Sequence, residues 1–249
     1  MKRVKLVVAY DGTNYCGWQV QKNGETIESV LNRAIGELTG EEIHVMGSSR
    51  TDAGVHACGN VAVFDTEARM AADKFSYALN QRLPEDIRIQ DSCEVPADFH
   101  PRFQKTVKTY EYRILNREFP LPAYRFNSHF TYRKLDVERM RQAAAYLIGE
   151  HDFQSFCAAG AQVKTTVRTI YALDVEKQGD LIILRITGNG FLYNMVRIIA
   201  GTLMKIGQGD WEPECMPEIL AGCDRQLAGP TAPARGLTLM EIHFKGEKG

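Results

Sequence analysis

The sequence predicts an α+β fold, because strands and helices follow one another without the regular βαβα alternation of a doubly wound parallel sheet. Two observations support this prediction. Short runs of β-branched and aromatic residues are separated by turn signals, as in antiparallel hairpins. Between these runs lie apolar patterns with the spacing of three and four residues that is typical of helices. The second half of the chain repeats this mixture, although no repeat is visible residue by residue.

In the first half, the β-branched segment 4–10 ends at Asp11 and Gly12 and predicts a strand followed by a turn. A helix is expected at residues 27–38, where apolar residues recur at helical spacing ahead of Gly40. Short strands are then predicted at 43–46 and 61–64, a helix at 71–81 and a strand at 87–94.

The second half begins with KTYEYRIL, an alternating segment that predicts a strand from about Thr106. Strands at 167–176 and 181–187 should form a hairpin around Gly179, and a final strand is expected at 237–244. Helices are predicted at 137–148, 191–206 and 214–220. We therefore expect two α+β halves, residues 1–105 and 106–249.

The composition is that of an ordinary globular protein, with 249 residues, 44% hydrophobic and 24% charged. No N-terminal pattern indicates a signal peptide, and no apolar stretch approaches membrane-spanning length. The six cysteines lie scattered, without a CxxC pair or a nearby histidine group that would suggest zinc. These observations predict a cytoplasmic protein with reduced thiols, no metal and no membrane partner.

The net charge of −1 argues against a nucleic-acid partner, but the charges are unevenly distributed. Residues 101–141 form a basic segment, which contains four acidic residues and the following cations: Arg102, Lys105, Lys108, Arg113, Arg117, Arg125, Arg133, Lys134, Arg139 and Arg141. A solvated surface with partly paired charges is the alternative interpretation. The aromatic residues interleaved with these cations favour contact with RNA.

The segment GSSRTDAGVHA, residues 47–57, is the most informative part of the chain. It lies between two predicted strands and places Arg50, Asp52 and His56 among small residues, which allow a ligand to approach the backbone closely. The alternative is that Asp52, Ala53 and Gly54 form an ordinary Asx-type turn. Spacing alone does not decide between a binding loop and a turn.

Several motifs resemble the tRNA pseudouridine synthase A family, and they occur in the family's order along nearly the whole chain. These motifs are YDGTNYCGWQ, SSRTDAGVHA, FHPRF, KTYEYR, GNGFLYNMVRIIAGTLMKIGQG and APARGLTLMEI. The resemblance implies a fold of two similar α+β halves that share a central antiparallel sheet, with the active-site cleft between them. It also implies isomerisation of uridine to pseudouridine at positions 38 to 40 of the tRNA anticodon stem-loop, without a cofactor.

By this resemblance, Asp52 is the catalytic nucleophile, Arg197 forms an ion pair with it, and Tyr110 stacks on the target base and handles protons. A carboxylate could attack C1′, capture a glycal after loss of the 2′ proton, or add to C6, and the sequence does not choose among these routes. Tyr112 lies on the same strand face as Tyr110 and could be the core member instead. Arg50 would occupy the space left by the flipped nucleotide.

Further expectations concern the walls of the base site and the RNA surface. Val55 and Leu237 could wall the uracil, although each is also an ordinary core residue, and His56 is interpreted as structural. Eight further residues combine aromatic and basic side chains suited to RNA contacts, in part near the FHPRF motif: Phe99, His100, Arg102, Phe103, Lys105, Arg69, Lys164 and Arg168. The family docks tRNA across two subunits, so a homodimer is expected.

Two other classes of protein remain open from the residues alone. A non-catalytic RNA-binding protein could use its aromatic strand as a stacking platform and would not need Asp52. An aspartate-dependent hydrolase would require a second carboxylate or a metal, and the sequence places neither near this loop.

Overall fold

Ten strands and five α-helices make up the described part of the chain, and this mixture confirms the α+β class. The structure is a computed structural model, which describes residues 1–160 and 163–244. The strands are β1 (Lys2–Tyr10), β2 (Met46–Gly47), β3 (His56–Thr66), β4 (Ile87–Val95), β5 (Thr106–Asn116), β6 (His129–Thr131), β7 (Gly149–Asp152), β8 (Val167–Gln178), β9 (Leu181–Gly188) and β10 (Leu237–Phe244). The helices are α1 (Ile27–Thr39), α2 (Phe75–Asn80), α3 (Val137–Ala145), α4 (Met195–Gly207) and α5 (Met216–Gly222).

The chain forms two compact units. One consists of Met1–Lys105 together with the end of the chain from Leu239, and the other of Thr106–Thr238. The chain therefore passes from one unit to the other twice, at Lys105 and again within β10.

The first unit has a sheet in the order β4-β1-β3-β10, and β2 adds to β3. β1 pairs antiparallel with both β3 and β4. Its residues alternate between buried and partly exposed, and Val4, Leu6 and Val8 are completely buried. This period of two is what a strand with one covered face requires.

Helix α1 begins where its cap predicts. Thr26 accepts a hydrogen bond from the Ser29 N–H, and the Ser29 hydroxyl accepts one from the Thr26 N–H, which completes a capping box. The helix ends at Gly40, whose φ of 75° is left-handed. Its buried residues share one face, and this pattern is the amphipathic spacing read from the sequence.

The second unit has a sheet in the order β5-β9-β8-β7, and these neighbours are antiparallel. The short strand β6 pairs with β5 in parallel, from Ile114 to Asn116. Helix α3 packs on β8 and on α4, and α4 also contacts β5. Eleven of the thirteen residues of α4 are buried, so this helix is the centre of the unit's core.

The structure differs from the sequence expectations at several boundaries. The helix expected at 191–206 begins only at Met195, because Asn194 has a left-handed φ of 60° that an α-helix cannot accommodate. The helix expected at 137–148 ends at Ala145, since the Leu147 N–H bonds to Ala144 O and the turn tightens. The 71–81 segment divides into a 3-10 turn at Ala72–Lys74 and α2.

The predicted strand at 43–46 is confined to Met46–Gly47, whereas the one at 61–64 extends over His56–Thr66. Strands β6 and β7 were not predicted, because three or four residues give too short a pattern. Within residues 1–160 and 163–244, no helix combines the length and apolar character needed to cross a bilayer.

Candidate active site

The loop that carries Asp52 connects β2 to β3 in the first unit, and both of its ends are fixed. The Ser48 N–H donates to Val61 O at 2.7 Å, and the Ser48 hydroxyl donates to Pro101 O at 2.9 Å. At the other end, the Val55 N–H donates to Asp52 O at 3.1 Å, and Gly54 adopts a φ of 78°. Asp52 is thus part of a turn, but this bond uses its main-chain oxygen and not its carboxylate.

The side chain of Asn60, on β3, holds the middle of this loop. Its Oδ1 accepts from the Ser49 N–H at 3.3 Å, and its Nδ2 donates to Ser49 O at 3.0 Å. Nδ2 also lies 3.2 Å from the Tyr10 hydroxyl, which is 2.8 Å from Thr51 Oγ1. Asn60 is completely buried, so these bonds act in a medium of low dielectric constant, where they are worth more than at the surface.

The N-terminal motif YDGTNYCGWQ packs against the backbone of this loop, a role that the sequence analysis did not predict. The main-chain N–H of Trp18 donates a hydrogen bond to Thr51 O at 3.0 Å. Gly17 has a φ of 88°, and a Cβ at this position would lie 2.7 Å from Thr51 O. A Cβ on Gly12 would collide with the Val55 carbonyl group. Both glycines are needed because the two backbones touch, and their spacing in the motif was the available signal.

His56 follows the loop and is buried beside the N-terminal turn. Its Nδ1 lies 3.1 Å from the Gly12 nitrogen, which donates to it, and 3.1 Å from Asp11 Oδ1. Burial acts to raise the pKa of Asp11, but hydrogen bonds from Thr13 and the nearby His56 outweigh it and hold that pKa below its usual value. These contacts agree with a structural role for His56.

Arg50 and Asp52 differ in exposure although they lie two residues apart. The Arg50 side chain is exposed and Asp52 is half-buried, whereas Val55 is 2% exposed. A buried Val55 fits the core interpretation as well as an apolar wall. The loop therefore presents one cation to solvent beside a partly shielded carboxylate.

The FHPRF motif forms a turn next to this loop. Arg102 donates from Nε to Gly47 O at 2.8 Å, and burial together with the charge of Arg50 lowers the pKa of Arg102. The rings of His100 and Phe103 stack at 4.1 Å, and Phe103 is 84% exposed. Phe99 is different, because its ring packs edge-to-face on Phe244 at 5.2 Å.

The other residues predicted to bind RNA are more scattered. Lys105 and Arg69 are exposed in the first unit, and Lys164 is exposed in the second. Arg168, also in the second unit, donates to Thr165 O at 2.9 Å and to Val167 O at 2.6 Å. Burial lowers the pKa of Arg168.

Tyr110 lies on β5 in the second unit. It is half-buried, and its ring meets that of Phe191 edge-to-face at 5.2 Å. Tyr112, two residues on, is completely buried, and its hydroxyl donates to Pro233 O at 2.9 Å. Burial raises the pKa of Tyr112. Tyr112 is therefore the core member of the pair.

Arg197 lies in the first turn of α4, and two hydrogen bonds are among the contacts that orient its guanidinium. Its Nε donates to Ala232 O at 2.8 Å, and its NH1 donates to Asn194 Oδ1 at 2.7 Å. The segment GPTAPARG packs closely against this helix, since the Gly229 N–H donates to Thr202 Oγ1 at 2.9 Å. Two distant motifs, FLYNMVR and APARGL, are thus brought together. Leu237, the last residue of the second motif, is 6% exposed.

Much of the basic segment 101–141 is engaged in ion pairs within the second unit. Arg133 lies 2.6 Å from Asp210, Arg139 lies 3.0 Å from Glu212 and Arg117 lies 3.4 Å from Asp180. Two further pairs join Arg141 to Glu138 and Arg113 to Glu111, and Glu111 also pairs with Arg185. The alternative of a surface with partly paired charges therefore describes this part of the segment better than an open RNA surface.

In the ranges that the structure describes, no group of three or more His, Cys, Asp or Glu side chains is placed to hold a metal ion. The residues described above fall into two sets. Arg50, Asp52 and Val55 share one loop of the first unit, and Arg102 lies beside it. Tyr110, Arg197 and Leu237 belong to the second unit.

Comparison with known proteins assigns the family. The family model for tRNA pseudouridine synthase matches residues 6–104 and 143–245. Proteins named tRNA pseudouridine synthase A are similar over 98% of this chain and 100% of their own length, with 48% identity in Acetivibrio thermocellus, 49% in Ruminiclostridium cellulolyticum and 51% in Brevibacillus brevis. A solved archaeal box H/ACA sRNP Nop10-Cbf5 complex matches at 10% identity over 95% of this chain and 46% of its own, with a TM-score of 0.34. The sequence relatives and the family model therefore make the assignment: the chain belongs to the tRNA pseudouridine synthase family.

Proposed function

We propose that this protein isomerises uridine to pseudouridine at positions 38 to 40 of the tRNA anticodon stem-loop, with Asp52 as the nucleophile and no cofactor. The observation that carries the proposal is the fixed loop. The half-buried carboxylate of Asp52 lies on a backbone segment whose neighbouring residues are hydrogen-bonded to Val61, Pro101 and Trp18. A nucleophile held in one position avoids the entropic cost of finding its target.

The reaction breaks the bond from N1 to C1′, turns the uracil and forms a bond from C5 to C1′. The atoms balance without a redox partner, a hydrolytic water or a group donor, because C5 loses one proton to solvent and N1 takes up one proton. An ionised Asp52 can attack C1′, capture a glycal or add to C6. Each route ends in the same product, so the assignment of the nucleophile does not depend on the choice.

Arg197 and Tyr110 are proposed to act on the same uridine as Asp52. Arg197 would keep the aspartate ionised, and its fixed contacts to Ala232 and Asn194 suit a residue that must present its guanidinium in one orientation. Tyr110 would stack on the uracil and assist proton transfer at C5. Its half-buried ring, supported by Phe191, suits a base that must be held yet rotate.

Arg50 is proposed to fill the space that the flipped nucleotide leaves, since C1′ cannot be attacked inside a stacked stem. Val55 and Leu237 would wall the uracil. The residues proposed to contact the tRNA elsewhere are Phe99, His100, Arg102, Phe103, Lys105, Arg69, Lys164 and Arg168. The enzyme is proposed to act in the cytoplasm, where its tRNA substrate is found.

The test is release of tritium from unmodified tRNA labelled at uracil C5, with no added metal or nucleotide. Asp52→Asn should lower turnover by more than about a thousandfold, because an amide is not a nucleophile, while tRNA affinity stays within a factor of about three. Asp91→Asn, an exposed change in the same unit, is the matched control and should leave turnover unchanged. Normal release by Asp52→Asn would refute the assignment. Tight tRNA binding without release by the unaltered protein would indicate an RNA-binding protein instead.

The protein is also proposed to be a homodimer, with each tRNA docked across two subunits. Sedimentation at micromolar concentration should give about twice the chain mass of 28.0 kDa. A single species at the mass of one chain would contradict the dimer and leave the isomerase assignment intact.

A further inference from the structure

Arg50 and Arg102 are two cations on the same loop region: Arg50 lies two residues before Asp52, and Arg102 is anchored to Gly47 at the start of the loop. Arg102 is fixed by its bond from Nε to Gly47 O at 2.8 Å, and its N–H donates to His100 Nδ1 at 3.2 Å. The same turn is tied to the loop a second time, by the bond from Ser48 to Pro101. These bonds bring the FHPRF turn against residues 47 and 48, just ahead of Arg50.

Neither arginine has a carboxylate within ion-pair distance in the part of the chain that the structure describes. Glu28 acts on Arg102 from beyond ion-pair distance, and it raises the pKa of Arg102 by less than Arg50 lowers it. The charge of Arg50 acts to lower the pKa of Arg102, after the larger effect of burial, as expected for two cations near one another. Like charges are kept together at a cost, and a bound anion removes it.

The geometry points to a phosphate clamp: we propose that Arg50 and Arg102 together grip one phosphodiester of the RNA, at or next to the nucleotide on which Asp52 acts. This rests on the proposed function, and it gives Arg102 a defined partner. Guanidinium groups match the oxygens of a phosphate in shape and charge. A side chain that replaces a flipped base lies beside the backbone of that nucleotide, so Arg50 can fill the stack and contact the phosphate.

The first test measures how tRNA binding depends on salt, in an Asp52→Asn background so that the substrate is not consumed. Arg102→Gln should reduce the slope of log affinity against log salt by roughly 0.7 to 0.9, the value for one lost phosphate contact, and weaken binding about fivefold to tenfold at physiological salt. Arg82→Gln removes one exposed charge from the same unit and should change neither quantity. An unchanged slope in Arg102→Gln would overturn the clamp.

A structural role for Arg102 predicts a different result. Ser48→Ala removes the other tie to the turn without removing a charge, so it should lower the Tm and keep the salt slope. If Arg102→Gln only lowered the Tm, as Ser48→Ala does, Arg102 would be a support for the loop and the clamp would be wrong. The double variant Arg50→Gln/Arg102→Gln should lose less affinity than the product of the two single losses, because both side chains hold one phosphate. Independent losses would contradict a shared ligand.

The second test replaces single phosphates of an anticodon stem-loop RNA by neutral methylphosphonates. One linkage near the target uridine should weaken binding to the protein with Arg102, and the Arg102→Gln variant should be insensitive at that linkage. If no linkage does this while inorganic phosphate raises the Tm in an Arg102-dependent way, the site holds free phosphate and the RNA assignment is wrong. Tritium release on the same RNA with Asp52 intact reports separately on the proposed function, so either proposal can fail without the other.

Discussion

The loop around Asp52 and residues 113–141 of the basic segment differ in the kind of group that holds them in place. Most of the described bonds that hold the loop come from neutral groups, which are main-chain bonds, the Asn60 amide and glycines in contact with its backbone. Arg102 adds one bond to this loop, from its Nε to Gly47 O, and in the part of the chain that the structure describes neither Arg50 nor Arg102 forms an ion pair. The basic segment is held by charged groups, since most of its arginines face a carboxylate.

This difference shows why a count of charges along the chain does not locate a binding surface. A cation that is already paired has its field largely cancelled, and binding RNA would require that pair to be broken. The ten basic residues between 101 and 141 suggested one continuous surface, but those from 113 onward are largely occupied. Whether a cation is left without a carboxylate partner depends on packing, and this matters more for RNA binding than the number of cations in a segment.

The largest effect should come from disturbing the neutral framework. Gly17→Ala would impose a left-handed φ on a side chain and drive its Cβ to 2.7 Å from Thr51 O, so we expect a loss of about 3–5 kcal/mol in stability and strongly reduced tritium release. Gly40→Ala has a similar φ of 75° but open space around it and should cost about 1–2 kcal/mol with normal turnover. Thermal unfolding of both variants checks this. Equal losses would mean that the contact with Thr51 does not matter.

A smaller effect is expected from the buried carboxylate of the charged framework. Glu111→Gln leaves Arg113 and Arg185 without their shared partner, whose side chain is 5% exposed. Because both arginines are partly exposed, we expect only about 1–2 kcal/mol of destabilisation by urea unfolding, less than for a fully buried pair. The salt slope of tRNA binding should not change. A changed slope would show that this pair contributes to the RNA surface after all.

The smallest effect should come from releasing exposed cations. Arg133 first, and Lys205 second, hold the pKa of Asp210 at about 2, below its ordinary 3.8. Because the pKa of Asp210 is lowered, the stability that its ion pairs contribute to the fold is complete above a pH of about 3.8 and is lost as the pH falls through about 2. Asp210→Asn frees both cations at neutral pH and should strengthen tRNA binding by less than about threefold, with a slightly steeper salt slope.

The carboxyl titration of Asp210, followed by NMR, provides the check on the pairing itself. Arg133→Gln should raise the pKa of Asp210 toward its ordinary value. If Asp210→Asn left tRNA binding and its salt slope unchanged, pairing would not be what keeps the basic segment from RNA, and the contrast between the two regions would fail.

The fold class and most strands could be predicted because hydrophobic alternation is local. The hairpin of β8 and β9, for example, follows from two alternating runs around Gly179. The start of α4 could not be predicted, because the left-handed conformation of Asn194 depends on contacts that no periodic pattern records. Strands of three or four residues, such as β6, also lie below the length at which a pattern can be recognised.

The candidate site shows the same limit. Arg50, Asp52 and Val55 could be named because they are contiguous in sequence and carry a family motif. The supports of the loop could not be derived, because Asn60, Gly17 and Arg102 reach it through contacts between distant segments. The spacing of Gly12 and Gly17 in YDGTNYCGWQ was the available signal that another backbone segment passes close to this motif.

The Asn60 amide pairs with both main-chain groups of Ser49, as a neighbouring strand would. The Asn60 side chain thereby makes the two hydrogen bonds that a paired strand would make, and it should fix the backbone at Ser49 whether or not RNA is bound. The enzyme then has little to rearrange when its substrate arrives. The work of adaptation falls on the RNA, so how easily a stem-loop gives up its stacking should decide which uridines are modified.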